Sequence, residues 1–342
     1  MQEDFLKLMQ RLAPDLAQEM ARRALVLERI AALEPVGRRQ LAAKLHMTER
    51  EVRAVAESLR EQGFIRLDAS GMMCTPEAAQ VLPTAREFSR AMLGLTDMET
   101  QLARLLGAKR VCIIPGDADK DPQVIQEVGR VAAQRVRGVL HNGSTIAVTG
   151  GSTVAAVARH MSSPTPMNVM VVPARGGMGR TVETQANTIA AEMAARLGGH
   201  HRLIHLPDHM DEAARQEMLK LPEVAEVMAL IQRADVILHG IGRADTAMRQ
   251  GKMTAAQVRA LEKQGAAGEC FGSYFDREGN CLLKSSSVGV DLARLSPSCQ
   301  MIAAAAGAGK AEAMIAVMRH DAHTLLVTDE GAARRMLDIL QS

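Results

Sequence analysis

Aromatic residues are scarce: among 342 residues there is no tryptophan, one tyrosine and five phenylalanines. The cores must therefore be aliphatic, and stacking of bases on aromatic side chains is excluded as a major binding mode. Cysteine is also scarce, and the five cysteines, at 74, 112, 270, 281 and 299, never stand in C-x-x-C spacing. This pattern predicts free thiols, no metal site and a cytoplasmic location.

Long hydrophobic runs are absent as well. No apolar stretch reaches the about 18 residues of a membrane-spanning helix, and the N-terminal Met-Gln-Glu-Asp lacks the basic flank of a signal peptide. We therefore expect no membrane partner. The formal net charge is only +2, so any surface for nucleic acid must be local.

Residues 18–75 have the pattern of a winged helix-turn-helix domain. The predicted elements are helices over 18–34, 38–45 and 48–62 and a β-hairpin over 64–75. Thr48 followed by Glu51 is the sequence of a helix capping box. Three helices and a two-stranded wing would place the third helix in the major groove of double-stranded DNA.

The exposed face of the third predicted helix supplies the candidate DNA-reading residues. They are Thr48, Glu49, Arg50, Arg53 and Arg60, with Arg38 and Arg39 expected on phosphates at the start of the preceding helix. Between Arg22 and Arg66 there are ten Lys/Arg and six Asp/Glu, a net of +4. Charge alone leaves open a protein-interaction module. The order of the elements favours an operator-binding domain.

Two amphipathic segments flank this domain. Residues 1–17, which we expect Pro14 to end, form an N-terminal arm that packs on a partner subunit or frays. Residues 76–95 are expected to form a linker and dimerisation helix, since a helix-turn-helix dimer must hold its reading helices about one DNA turn apart. That helix could also pack on its own domain. We expect self-association to dimers or tetramers.

From residue 96 to residue 342, strands and helices alternate. This alternation predicts an α/β domain with a doubly wound, mostly parallel sheet. The predicted strands are 111–114, 146–148, 167–172, 203–206, 236–239, 301–306 and 325–327. We expect one helix over 211–232, and Asp329 as the cap of the last helix.

The stretch from Ile146 to Val154 reads as strand, glycine turn and helix. Gly150 and Gly151 remove Cβ atoms, so an anion can approach the backbone closely. Unpaired N–H groups of the new helix, backed by the helix dipole, point at the same place. Ser152 and Thr153 add hydroxyl donors. The turn suits a phosphate, although a tight connection with a hydroxyl N-cap would have the same sequence.

Further glycine-rich loops follow the predicted strands ending near Val172, Leu238 and Ala306. Carboxyl ends of parallel strands share one edge, where ligands bind. These loops contribute Arg175, Arg180, Arg243 and Lys310, which suit a small molecule with two phosphates. Residues Gln185, Asn187, Asp245 and Glu269 could bind its hydroxyls. The Gly307-Ala-Gly-Lys310 loop lacks the first glycine and the hydroxyl of a nucleotide P-loop, so ATP is not expected.

Several motifs together resemble the SorC/DeoR group of bacterial transcription factors. They are Val148-Thr-Gly-Gly-Ser-Thr153, Val172-Pro-Ala-Arg-Gly-Gly-Met-Gly179, Gln185-Ala-Asn-Thr188, His239-Gly-Ile-Gly242, Glu269-Cys-Phe-Gly272 and Lys310-Ala-Glu312. The resemblance implies a repressor of a glycolytic operon with fructose 1,6-bisphosphate as effector, no cofactor, and an effector domain like phosphosugar isomerases and deaminases. It implies that Gly150 to Thr153 and Arg175 hold phosphate.

The complete set of candidate effector-binding residues combines these motifs with the glycine-rich loops. It comprises Thr149, Gly150, Gly151, Ser152, Thr153, Arg175, Gly176, Gly177, Met178, Gly179, Gln185, Asn187, Arg243, Asp245, Arg249, Glu269, Phe271, Gly309 and Lys310. The alternative is a phosphosugar isomerase or deaminase with a regulatory N-terminus. Such an enzyme needs a base near a carbonyl carbon, for which His205, His239 and Glu269 are candidates. Both histidines are expected to end buried strands.

Overall fold

The structure is a computed structural model that describes residues 8–9, 11–45, 47–176, 181–206, 210–250, 253–321 and 323–342. The chain divides into two compact units, one ending at Asp97 and the other beginning at Met98. The first unit contains helices and a hairpin. The second contains the α/β sheet.

The first unit is a winged helix-turn-helix domain, as predicted. Its elements are α1 (Pro14–Leu33), α2 (Arg38–Leu45), α3 (Glu49–Glu61), β1 (Ile65–Asp68), β2 (Gly71–Cys74) and α4 (Pro76–Met92). The predicted role of Pro14 was wrong, because Pro14 begins α1 rather than ending the preceding segment. Proline has no N–H to lose in the first turn and its fixed φ suits that position.

A compact aliphatic core holds these elements together. Ile30 of α1, Leu41 of α2 and Val52 of α3 are fully buried, and Met72 of the wing packs against them. The helix α4 packs along α1 of the same unit. It stops at Met92, short of the expected residue 95, because Gly94 adopts φ +66° and Leu95 begins α5 (Leu95–Leu106).

The second unit is built on a parallel sheet of seven strands in the order β3-β13-β12-β7-β4-β5-β6. The strands are β3 (Arg110–Ile114), β4 (Thr145–Val148), β5 (Met170–Pro173), β6 (His200–His201), β7 (Val236–His239), β12 (Gln300–Ala304) and β13 (Leu325–Asp329). The exits of β4, β7 and β12, which carry the predicted ligand loops, are therefore next to one another at one edge.

Helices cover both faces of this sheet. One core lies under α6 (Gln123–Arg137), α7 (Ser152–His160) and α8 (Ala186–Leu197). The other lies under α10 (Pro222–Gln232). In β4, Ile146 and Val148 face the first core while Ala147 faces the second. The predicted doubly wound arrangement is confirmed.

A second, smaller sheet was not predicted. Its order is β11-β10-β9-β8, and the strands are β8 (Gly242–Arg243), β9 (Gly268–Cys270), β10 (Ser273–Phe275) and β11 (Cys281–Leu283). All three pairings are antiparallel. Between β8 and β9 lie α11 (Ala244–Gln250) and α12 (Ala255–Lys263), and the sheet rests on α13 (Ala311–His320).

Two element predictions in the second unit were wrong, and a third was met only in part. Residues 203–206 form no strand, and β6 is instead the short segment His200–His201. The helix expected over 211–232 is broken into α9 (Glu212–Leu219) and α10, because Pro222 cannot continue a helix and starts a new one. Asp329 does occupy the N-cap position of α14 (Glu330–Gln341), as expected, but its side chain makes no capping bond to that helix.

No helix within the described ranges is both long and apolar enough to cross a membrane. All five cysteines are free thiols. Across the residues with described positions, no group of three His, Cys, Asp or Glu could hold a metal ion.

Candidate functional sites

The start of α3 is fixed by the predicted capping box. The Thr48 hydroxyl accepts from the Glu51 amide at 3.2 Å, and Glu51 Oε2 accepts from the Thr48 amide at 2.7 Å. The bonds that the Glu51 carboxylate accepts from the Thr48 amide and the Thr48 hydroxyl lower the pKa of Glu51. On its other oxygen Glu51 binds Arg22 Nη2 of α1 at 2.5 Å. The Thr48 hydroxyl is thus occupied within the protein, so its contribution is to the pose of α3.

All the arginines predicted to contact DNA are exposed. Arg50 and Arg53 are three residues apart, so they project from one face of α3. Arg60 is paired with Glu57, and Arg39 Nε lies 3.9 Å from Glu49 Oε1. Within the described ranges Arg50 and Arg53 make no ion pair. The face they share is the part of α3 with uncommitted positive charge.

The turn after β4 has the geometry that a phosphate loop requires. A Cβ at Gly150 would lie 2.7 Å from the carbonyl oxygen of Thr184, and Gly151 has φ +121°. Both positions therefore require glycine. The first intrahelical bond of α7 runs from Ala155 N to Gly151 O at 2.9 Å, so the amides of residues 152–154 precede it.

The neighbouring loops hold this turn in place. The Gly151 amide donates to Thr184 O at 2.9 Å, and Thr149 Oγ1 accepts from the Gly240 amide at 3.0 Å. The exits of β4 and β7 are thereby joined. Of the two hydroxyls expected to face a ligand, Ser152 is exposed, whereas Thr153 is only 4% exposed.

Arg175 and Glu269 form the second part of the site. Their side chains are half-buried, with Arg175 Nη1 3.7 Å from Glu269 Oε1. Glu269 Oε1 also accepts from the Gly272 amide at 2.6 Å. Cβ atoms at Gly242 and Gly289 would lie 2.8 Å from Glu269 Oε2 and 2.5 Å from Arg175 Cβ. Glycines thus make room for this pair of opposite charges.

Arg243 and Asp245 do not join that pair. In the small sheet the direct partner of Glu269 is Gly242, and Arg243 is opposite Gly268. Because side chains alternate along a strand, Arg243 shares a face with Gly268, whose Cβ would lie 2.7 Å from Ala313 O of α13. The predicted effector residues are therefore divided between two faces of the small sheet.

The α13 side of the small sheet has its own groove, with a volume of about 380 Å³. Its charged lining residues are Arg243, Asp245, Glu312 and Arg335. Arg243 binds Asp245 through two contacts of 3.0 and 2.8 Å, and Arg249 adds a third at 3.0 Å. These bonds, the Arg243 bonds first, lower the pKa of Asp245 to about 2. Arg243 and Arg249 share this single carboxylate, so the three side chains together carry a net charge of +1.

Lys310 lies beside two carboxylates at the exit of β12. Burial lowers its pKa, and the charges of Asp119 and Asp329 oppose that shift. Asp329 is fully buried and accepts from the amides of Ala118 and Gly307, both at 2.8 Å. Asp119 accepts from the Gly309 amide at 2.8 Å. Burial raises the pKa of Asp329 against the effect of its two amide donors.

Gln185 and Asn187 stand at the start of α8. Asn187 donates through Nδ2 to Ile204 O at 2.9 Å and accepts through Oδ1 from the Ile204 amide at 3.3 Å. Its amide is therefore engaged with the backbone. Gly176 donates its amide to Val288 O at 2.8 Å. The remaining predicted residues of this loop, Gly177, Met178, Gly179 and Arg180, lie outside the described residues.

The two candidate histidine bases differ. His205 is exposed and belongs to no strand, so the expectation of a buried strand end was wrong there. His239 does end β7, is 2% exposed, and its Nδ1 lies 3.1 Å from Cys270 Sγ. Its ring packs on Phe271 with centroids 4.9 Å apart, and its Nε2 has no hydrogen-bond partner among the residues that the structure describes. Burial lowers the pKa of His239 to about 4.

Two acidic residues at this edge of the sheet were not among the predicted site residues. Asp119, in the loop after β3, and Asp329, the last residue of β13, tie the β12 exit to its neighbours. The available signal was acidic residues two to five positions after the buried runs that end at Ile114 and Val327. The small sheet was missed because its strands have only two or three residues, too few for a periodic pattern.

Comparison with known families gives two matches that together span most of the chain. The family model CggR_N, described as the CggR N-terminal DNA binding domain, matches residues 20–88. The sugar-binding domain model Sugar-bind matches residues 90–338. The boundary between the two matches falls close to that between the compact units.

Three relatives are similar over much of their length. The central glycolytic genes regulator of Priestia megaterium is 36% identical over 97% of this chain and 98% of its own. That of Bacillus subtilis is 37% identical over 96% of each. The crystal structure of a SorC family transcriptional regulator from Enterococcus faecalis superposes with a TM-score of 0.64 at 36% identity, covering 70% of this chain and 99% of its own.

Proposed function

Because the chain belongs to the family of the central glycolytic genes regulators, a branch of the SorC-type transcriptional regulators, we propose that it represses glycolytic genes under control of fructose 1,6-bisphosphate. The observation that carries the proposal is the joint presence of a winged helix-turn-helix and a glycine-built anion turn in one chain. The first supplies the DNA contact and the second the effector contact.

Operator binding is assigned to α3 and the start of α2. Arg50 and Arg53 supply bidentate donors for base edges, since guanine O6 and N7 match the guanidinium fork. Arg38 and Arg39 contact phosphates, which position the domain without reading sequence. Arg22 of α1 holds Glu51 at the start of α3, and so keeps the reading face in register.

The effector is assigned to the edge of the seven-stranded sheet where β4, β5 and β12 end, together with the face of the small sheet that carries Glu269. One phosphate is assigned to the turn from Gly150 to Thr153, and Lys310, at the exit of β12, is assigned as its cation. The other lies by Arg175, whose charge is shared with the half-buried Glu269. Sugar hydroxyls contact Glu269 and Gln185. Inorganic phosphate could satisfy only one of the two anion positions, so the bisphosphate must bind more tightly.

Enzymatic turnover is not part of the proposal. The isomerase or deaminase alternative needs a base that reaches a carbonyl carbon. His239 is enclosed, with Nδ1 beside Cys270 and with its pKa lowered to about 4. His205 contacts Asn187 at 3.3 Å and stands outside the glycine turn. A coupled assay with fructose 6-phosphate and glucosamine 6-phosphate is expected to show no turnover.

Titration of the bisphosphate into a repressor–DNA complex tests the effector assignment. The duplex is one selected by the protein itself from random sequence. An effector shifts an equilibrium only by its difference in affinity for the two states, so release requires tighter binding to the DNA-free form. Ligand at about 100 times its dissociation constant adds roughly 2.7 kcal/mol to the free energy of unfolding.

Two variants locate the site. Arg175→Ala and Lys310→Ala are expected to need at least about tenfold more ligand for release, the equivalent of about 1.4 kcal/mol, while binding DNA normally without ligand. If both respond like the wild type, or if the bisphosphate binds no better than inorganic phosphate, the site assignment is wrong.

Self-association completes the proposal, because a symmetric operator is matched by a two-fold dimer. We expect dimers or tetramers at micromolar concentration. Light scattering gives the mass directly. A monomer mass with and without the selected duplex would contradict this part and leave the effector assignment untouched.

A further inference from the structure

An exposed apolar stripe runs along the N-terminal side of the first unit. Leu8, Leu12, Leu16 and Met20 are 55%, 78%, 58% and 45% exposed. Their spacing of four places them on one face of a helix. Hydrogen bonds from Ala13 N to Met9 O at 2.9 Å and from Ala17 N to Ala13 O at 3.1 Å carry the helical pattern past the start of α1. We call these four residues the leucine stripe.

The opposite face of the same helix is built into the DNA-binding domain. Ala17 and Ile30 are fully buried, and Leu27 is 3% exposed. The helix also holds the reading helix α3 directly, through the 2.5 Å contact of Arg22 with Glu51. A partner bound to the leucine stripe would therefore contact the helix that packs on α3.

We propose that the leucine stripe is the surface through which the DNA-binding domains of two copies of this chain pair, with the two helices antiparallel. The proposal rests on the self-association proposed above and names its surface in the first unit. A second copy offers the same four side chains, so the contact is isologous, as a two-fold axis requires.

Charge decides the direction of pairing. Beside the stripe stand Arg11, Asp15 and Glu19, all on the same flank, and Glu19 is also paired with Arg23 of its own helix at 2.8 Å. In an antiparallel pair centred on Pro14, these flanks meet, and Arg11 of one helix comes opposite the segment 15–19 of the other. In a parallel pair the two flanks would lie on opposite sides of the contact, so Arg11 would gain no carboxylate partner from the other helix. Leu12 of one copy then lies opposite Leu16 of the other.

The size of the stripe limits what it does. Stable protein complexes bury about 1,200–2,000 Å² of surface. The four stripe residues of each copy, eight side chains in all, supply less surface than that. The stripe thus orients the two DNA-binding domains, while other surfaces share in holding the dimer. The stripe should therefore affect mainly the binding of DNA that has two half-sites spaced by about one DNA turn.

Engineered cysteines test the geometry in the full chain. Leu12→Cys and Leu16→Cys proteins, mixed and oxidised, are expected to form a disulfide-linked dimer, and the double variant is expected to do so more completely. Each single variant alone is expected to give little more than the wild type, whose own five thiols set the background. Val139→Cys mixed with Leu221→Cys is the matched control, since both residues are 42% exposed in the second unit.

Polar substitution tests the role in binding. Leu12→Ser/Leu16→Ser is expected to bind a duplex with two half-sites at least about tenfold more weakly, but a single half-site as the wild type does. Both residues are exposed in the single chain, so the variant is expected to fold and to keep the far-ultraviolet circular dichroism of the wild type. Val182→Ser/Leu221→Ser is the control for loss of exposed apolar surface elsewhere.

The outcomes separate the two proposals. A wild type that is monomeric on DNA overturns self-association itself. A dimeric wild type whose cysteine variants crosslink no better than the control, or whose serine variant binds both duplexes normally, overturns the stripe and leaves self-association standing. Crosslinking of each single variant with itself overturns the antiparallel direction.

Discussion

Glu269 and Arg243 belong to neighbouring strands of the small sheet, yet their side chains lie on opposite faces of it. The strand pairing sets Glu269 against Gly242 and Arg243 against Gly268. A Cβ at Gly242 would meet Glu269 Oε2, whereas one at Gly268 would meet α13. The Glu269 face includes Arg175, and the Arg243 face includes Asp245 and the groove along α13.

The first prediction follows from this separation. Arg243→Ala is expected to change the concentration of fructose 1,6-bisphosphate needed for DNA release by less than about threefold, because Arg243 lies on the face of the small sheet towards α13 and is ion-paired with Asp245. Arg175→Ala is expected to raise it by at least about tenfold, or about 1.4 kcal/mol. Isothermal titration of both variants provides the comparison. Equal losses would mean that the ligand reaches around the small sheet.

The second prediction concerns the glycine turn. Gly150→Ala places a Cβ 2.7 Å from Thr184 O, so the turn must shift and effector binding is expected to be lost. The free energy of unfolding is expected to fall by about 1–3 kcal/mol, as for overpacking. Gly143→Ala is a suitable control, since Gly143 has φ +84° but no atom within 4 Å of its Cβ position. The control is expected to lose some stability and keep its effector response.

The third prediction separates base reading from phosphate contact. Arg53→Ala is expected to weaken binding to a selected duplex by about 1–3 kcal/mol and to leave random DNA nearly unaffected. Arg38→Ala is expected to weaken both alike and to reduce the salt dependence. Gel shifts at two salt concentrations measure both effects. A loss for Arg53→Ala that is as large on random DNA assigns that side chain to the phosphates.

The winged domain could be predicted from sequence because its signals are local. The capping pair Thr48 and Glu51, and a glycine at position 63 with φ +78°, define α3 within a few residues. The alternation of buried runs with amphipathic helices likewise defined the parallel sheet. Pro14 was misread because proline is compatible with both the first turn of a helix and a break before it.

The division of the candidate site could not be predicted. The face of the small sheet on which Arg243 lies depends on how the two-residue strand β8 pairs with β9. No periodic pattern in the sequence reveals the register of so short a pairing. The role of Asp329 also depends on long-range contacts, since its oxygens accept from Ala118 and Gly307 rather than from its own helix. Residue type indicated polar chemistry at these positions, and only the topology decided its partners.

The last prediction concerns acid sensitivity. Burial lowers the pKa of His239 to about 4 from the ordinary value of 6.5, and the backbone carbonyl of Gly240 and the charge of Asp321 only partly oppose this. A histidine with a lower pKa in the folded state takes up its proton first in the unfolded chain. His239 therefore leaves the free energy of unfolding unchanged above about pH 6.5. As the pH falls from about 6.5 to about 4, protonation of this histidine in the unfolded chain lowers the free energy of unfolding.

The size of that loss approaches about 3 kcal/mol at the acid end, because one pKa unit corresponds to about 1.4 kcal/mol. His239→Gln removes the proton-binding group, so its free energy of unfolding is expected to vary less between pH 6.5 and 4 than that of the wild type. His201→Gln, at an exposed histidine, is the matched control and is expected to keep the wild-type slope. Urea unfolding at several pH values measures the free energy of unfolding of the wild type and of both variants. Parallel curves for the wild type and His239→Gln would show that the imidazole is protonated as readily in the folded protein as in the unfolded chain, against the enclosure by Cys270 and Phe271.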